Sequence, residues 1–228
     1  MSSLISREEL LTSLSYSFQW QAATWNDYVN YRDTLEDQRV KLYYYQNKFL
    51  IQMGKEGINH ASINDLFTII LFIWFSKYPE ISMNTFGGVL LEKPEKRSAS
   101  PDLVVYLGED YPNWKPGESR YINLDTWRVP NLVGEISDTT LSSDLDEKKH
   151  LYANLGIPEY WVIDVQAKRV FAFQLQESDT YQESQVSLVL QGLPIALLAQ
   201  TIERLEQETN SRAANWFAQK ISELKTDN

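Results

Sequence analysis

Apolar and polar positions along this chain recur in two periods, and the switches between them lay out its elements. Between Trp25 and Leu35 the residues Trp25, Tyr28, Val29 and Tyr31 follow helical spacing, with Thr24 placed as an N-cap. The runs RVKLYYYQ and KFLIQM flank Gln46-Asn47 and predict a β-hairpin. Residues 54–59 read as loop. A second helix is expected from about Ser62 to Lys77. There Ile63, Leu66, Phe67, Ile70, Leu71 and Trp74 fall at helical spacing, and Pro79 ends the pattern. FGGVLLE at 86–92 reads as a strand with a glycine pair, and KPEKRSAS after it as a polar loop. DLVVYL at 102–107 and NLVGEI at 131–136 read as strands. The segment between them carries Pro112, Pro116 and Gly117. It is long for a hairpin loop and marks a lid or a partner surface.

A helix is expected after Glu135. Ser143 with Asp146, or Asp144 with Glu147, fits a capping box, and Gly156 followed by Pro158 stops it. EYWVIDV and RVFAFQL form a hairpin around Gln166-Ala167-Lys168, QVSLVL adds a strand, and amphipathic helices at about 195–206 and 210–224 close the chain. This order predicts a mixed α/β (α+β) fold, a central mixed β-sheet flanked by helices.

Composition narrows the class. At 228 residues, 43% hydrophobic and 23% charged, the chain has the profile of an ordinary globular protein. No uninterrupted apolar run reaches the roughly 18 residues that span a bilayer. LFTIILFIWF at 66–75 reads as a core helix, so no membrane association is expected. The start, MSSLISREELLTSLS, shows no apolar signal region. The absence of cysteine excludes disulfides and thiolate metal sites and is compatible with a cytoplasmic location. A net charge of -10 counts against a general nucleic-acid coat protein. It leaves room for an enzyme that meets a few phosphates through a bound cation.

Three side chains carry candidate chemistry: Asp102, Glu135 and Lys148. If the strands at 102–107 and 131–136 pair antiparallel, a register setting 102 opposite 135 also sets 106 opposite 131 and uses both runs fully. Residues directly opposite share a face, so two carboxylates would sit close together. Like charges at that range resist joint ionisation, and Mg2+ between them resolves the conflict. Lys148 and Tyr152 are four residues apart on one helix face that would cover the strand end. The lysine could then position a water or steady charge on a phosphate. Each residue alone has a plainer reading. Asp102 fits a turn after Pro101, Glu135 a strand-end acid reaching solvent, and Lys148 a solvated helix position. KPEKR at 93–97 could meet phosphates or simply face water. Tyr160 and Trp161 read as core, Asp164 as a turn residue and His150 as solvated.

The stretches SPDLVVYL, LVGEISDTT and SDLDEKKHLYANLGIPEYWVID together resemble the PD-(D/E)XK nuclease superfamily, and more narrowly the Uma family of restriction-endonuclease-like proteins. The matching positions are Pro101 and Asp102, Glu135, Thr139 or Thr140, Asp144, Lys148, Tyr152, Gly156, Ile157 and Glu159-Tyr160-Trp161. The resemblance implies an endonuclease-like domain over 23–192, after a polar segment at 1–22 and before a helical extension at 193–228. It implies Mg2+ (or Mn2+) held by Asp102, Glu135 and the backbone carbonyl of Ile136, with Lys148 catalytic and His60, Asp144 and Tyr152 in support. Hydrolysis of DNA by a homodimer follows from the same likeness. The superfamily's strand lysine normally stands two residues after the acid, where this chain has Ser137, so the resemblance moves that role to Lys148. Asp138 stands where the family commonly has proline. A second class of function is a nuclease-derived interaction module with little activity. It would use Tyr111, Trp114, Tyr121 and Trp127 as a protein or self-association surface.

Overall fold

A computed structural model describes residues 19–35, 40–53 and 57–224. In chain order the elements are β1 (Gln21–Ala22), α1 (Trp25–Thr34), β2 (Val40–Tyr45), β3 (Lys48–Met53), α2 (Ile58–Phe75), β4 (Met83–Phe86), β5 (Leu91–Lys93), β6 (Arg97–Ala99), β7 (Leu103–Leu107), β8 (Ile122–Asn123) and β9 (Leu132–Ser137). They continue with α3 (Leu141–Leu145), α4 (Glu147–Leu155), β10 (Glu159–Asp164), β11 (Arg169–Leu175), β12 (Tyr181–Ser184), α5 (Ile195–Glu203), a 3-10 turn (Arg204–Glu206) and α6 (Asn210–Glu223). Two units form. One draws on the described parts of Met1–Lys55, Gly88–Ser100 and Trp114–Trp127, the other on those of Glu56–Gly87, Pro101–Asn113 and Arg128–Asn228.

The first unit holds a six-stranded sheet in the order β1-β3-β2-β6-β5-β8. Its β2–β3 hairpin turns at Gln46 and Asn47, both with positive φ, as a tight hairpin of this hand requires. α1 begins with the expected Thr24 cap, completed as a capping box by Asp27. Glu92 is buried and held by Arg32 at 2.8 Å and Tyr28 Oη at 2.8 Å. KPEKRSAS is not all loop: Arg97–Ala99 forms β6, and Lys93 to Arg97 is a hairpin turn with Glu95 at positive φ. FGGVLLE is not one strand either. β4 ends at Phe86, and Leu91 opens a strand of the other sheet. The glycine pair between them breaks the ladder instead of lying within it.

The second unit holds the order β12-β11-β10-β9-β7-β4, antiparallel except for β9–β10. α2 begins at Ile58, four residues earlier than expected, because Gly57 serves as N-cap without a side-chain bond that sequence could advertise. His60 thereby lies in the first helical turn. The 18-residue helix is long and apolar enough to cross a bilayer. Here Ile63, Leu66, Phe67, Ile70, Leu71 and Trp74 are buried in a core shared with β7, β9, β10, α5 and α6. Phe67 meets the Trp161 ring edge-on at 5.9 Å. Gly156 ends α4 in the left-handed region at φ 78, and Ile157 N–H donates to the Tyr152 carbonyl, a glycine stop of the expected kind.

QVSLVL does not form a strand. β12 lies earlier, at Tyr181–Ser184, and Val186 makes only an isolated bridge to Pro194. The reason is Glu159, fully buried on β10. Its carboxylate accepts from Val189 N at 2.7 Å, Ser187 Oγ at 3.1 Å and Trp161 Nε1 at 2.8 Å, which bends 187–189 around it. Burial raises the Glu159 carboxyl above its usual 4.5, and these hydrogen bonds offset part of the rise. The folded state therefore holds that proton more tightly than the unfolded one. Stability relative to Glu159→Gln is expected to fall as pH rises from 4.5 through the folded value. Urea midpoints of both proteins across that range test this, and parallel curves would refute it.

Candidate active site

β7 and β9 run antiparallel with Leu103 opposite Gly134, Val104 opposite Val133 and Val105 opposite Leu132. This is the register expected from the sequence, with 102 opposite 135. One residue further on, it sets Asp102 opposite Glu135. Gly134 suits the close approach, since a Cβ there would meet Leu103 Cβ at 3.4 Å.

Asp102 is 3% exposed and Glu135 1% exposed. Each of their four oxygens has a protein partner. Asp102 Oδ1 lies 3.2 Å from His60 Nε2, and Oδ2 accepts from the Ile136 N–H at 2.9 Å. Glu135 Oε1 accepts from Tyr152 Oη at 2.5 Å, and Oε2 lies 3.4 Å from Lys148 Nζ. A carboxylate oxygen has two lone-pair directions and can accept from more than one partner.

Lys148 comes from the first turn of α4 and is fully buried. Burial works against its charge, but Glu135, Asp144 and Asp102 outweigh it and hold the ammonium above its usual 10.5. Its Nζ lies 2.8 Å from Asp144 Oδ1. Asp144 caps nothing. Neither expected capping box forms, because α3 starts at Leu141 and the chain breaks at Asp146 before α4. The Asp144 carboxylate instead faces Lys148 and accepts from Thr140 Oγ1 at 2.6 Å. Tyr160 Oη donates to the Asp144 carbonyl at 2.9 Å. Burial first, then the acids Asp144, Glu135 and Asp102, hold that phenol well above 10.0, so it stays neutral.

The six side chains singled out in the sequence thus fall into two groups joined through the backbone at Ile136. His60 meets Asp102, Tyr152 and Lys148 meet Glu135, and Asp144 meets Lys148. Ile136 takes part through its N–H. His150 is exposed beside Asp146, and Asp164 accepts from Gln166 and Ala167 N–H in a turn, as expected. Sequence reasoning misses the roles of Thr140 and Tyr160 in holding Asp144. The four-residue spacing of Thr140 and Asp144 is the available signal for one of them.

With Asp102, Glu135 and Asp144 ionised, three negative charges stand against Lys148, leaving two unless His60 is protonated. Hard carboxylate oxygens and that surplus fit a divalent cation such as Mg2+. Among the described residues no group of three or more His, Cys, Asp or Glu side chains converges to hold a metal. One or two carboxylates, completed by water and substrate phosphate, are nevertheless a usual Mg2+ set. The donors present fit the ion on those terms.

Over residues 25–208, well over half its length, the chain matches the model of the Uma2 family, described as "Putative restriction endonuclease". The chain belongs to the Uma2 family. Among solved structures, this Uma2 chain is similar to a "putative nuclease" from Anabaena variabilis, 19% identical with a TM-score of 0.49, covering 77% of this chain and 90% of that one. A comparison with curated proteins found no match.

Proposed function

We propose that this Uma2 chain is a divalent-metal-dependent endonuclease that hydrolyses phosphodiester bonds in DNA. The observation that carries the reading is the buried, cross-strand pair Asp102 and Glu135, whose charge together with Asp144 exceeds that of Lys148. Asp102, Glu135 and the Ile136 carbonyl would hold Mg2+ or Mn2+. When bound, the ion would supply Lewis-acid polarisation of the phosphate and a more acidic water. Lys148 keeps its proton at neutral pH and serves as a fixed positive charge toward the phosphate or the attacking water. Asp144, tied by Thr140, sets the position of that ammonium. Tyr152 fixes the Glu135 carboxylate by donating to Oε1, and His60 steadies Asp102. A homodimer would bring two such sites to a duplex.

The test is incubation of supercoiled plasmid with the purified chain in Mg2+, in Mn2+ and in EDTA. Nicking or linearisation that needs the metal is the expected outcome. Intact plasmid under all conditions, with single-stranded DNA and RNA also intact, would sink the reading. One observation favours the alternative of an inactive interaction module. The four carboxylate oxygens already have protein partners, so the network satisfies itself without a ligand.

A further inference from the structure

Ser137 ends β9 two residues beyond Glu135, so strand alternation puts both side chains on one face. It is 1% exposed, and its Oγ has no hydrogen-bond partner among the described residues. Two polar side chains of the adjoining segments bond elsewhere. Asp164, opposite in the parallel ladder, turns its Oδ1 to Gln166 and Ala167 N–H. Thr140 Oγ1 donates to Asp144. A buried hydroxyl without a partner is costly, and alanine would fill the same place at no such cost. A two-residue step along a strand spans about 6.6 Å between Cα atoms, and side chains on one face can reach within range of a shared water, which bridges roughly 5.6 Å between two oxygens.

We infer that Ser137 is a positioning residue whose hydroxyl holds a water against the Asp102–Glu135 pair. The inference rests on the proposed cation site and adds to it a neutral group that orders its hydration. Outer partners of this kind alter metal affinity by about 10–100-fold when removed.

The experiment is calorimetric titration of Mn2+ into the full chain as wild type, Ser137→Ala, Ser137→Thr and Ser137→Val, with melting temperatures taken before and after metal. Ser137→Ala is expected to melt no lower than wild type without metal and to bind Mn2+ at least about tenfold more weakly. Threonine keeps the hydroxyl and should bind more tightly than valine, which has nearly the same shape. Equal Mn2+ affinity in wild type and Ser137→Ala would overturn the inference while leaving the cation site standing. A lower metal-free melting temperature for Ser137→Ala would overturn it as well, because the hydroxyl would then be bonded within the fold. Failure of wild type to bind Mn2+ at all would remove the cation site and this inference together.

Discussion

Glu135→Gln is expected to abolish Mn2+ binding and to lower any metal-dependent cleavage by at least about a hundredfold, while leaving the melting temperature close to wild type. The variant removes one charge and almost no volume. The amide oxygen of the introduced glutamine can still accept from Tyr152 Oη, and Lys148 keeps Asp144 at 2.8 Å. The fold therefore loses little, whereas a hard cation loses one of its two anionic donors. Asp102→Asn should behave alike, since an amide oxygen can still accept from the Ile136 N–H. Calorimetry beside a thermal melt separates loss of the site from loss of the fold. Undiminished Mn2+ binding in both variants would show that these acids are not the donors.

Lys148→Met should have the larger effect on stability, about 3–5 kcal/mol, because it strands two buried acids. Asp144 has no exposed surface and Glu135 is 1% exposed, and both would lose their ammonium partner. Urea denaturation at neutral pH measures the loss. The sign of the pH dependence follows from the lysine. Its folded value lies above 10.5, so its contribution is complete below 10.5 and disappears as pH rises through the folded value. Wild type should weaken in that alkaline range and Lys148→Met should not share that loss. A Lys148→Met protein as stable as wild type at pH 7 would mean that the acids find other partners or carry protons.

Much of this could be read from the sequence, for identifiable reasons. The β7–β9 register is the one expected from the sequence, an alignment that overlaps most of the two apolar runs and brings Asp102 to Glu135. The Gly156 stop and the Thr24 cap announced themselves through residue types with one dominant local use. Other features depend on partners distant along the chain. QVSLVL has strand character, but Glu159, 30 residues before Val189, pulls it into a turn. Asp144 has the right spacing for a cap, but burial beside Lys148 gives it a stronger claimant. β5 and β6 are three residues each, too short for periodicity to appear. Ser137 gave no signal of its own in the sequence, because buried hydroxyls without a partner have no sequence signature.

The Lys148–Asp144 pair spans four residues of chain, whereas the bond from Ile136 to Asp102 spans 34. The two halves of the network thus carry different loop-closure costs. The lysine and its acid can meet as soon as the short junction between α3 and α4 forms. The facing carboxylates require β7 and β9 to have found each other across the long intervening segment. A nascent or partly unfolded chain would hold the local ion pair but lack the anionic pair, so cation binding would report on completion of the sheet.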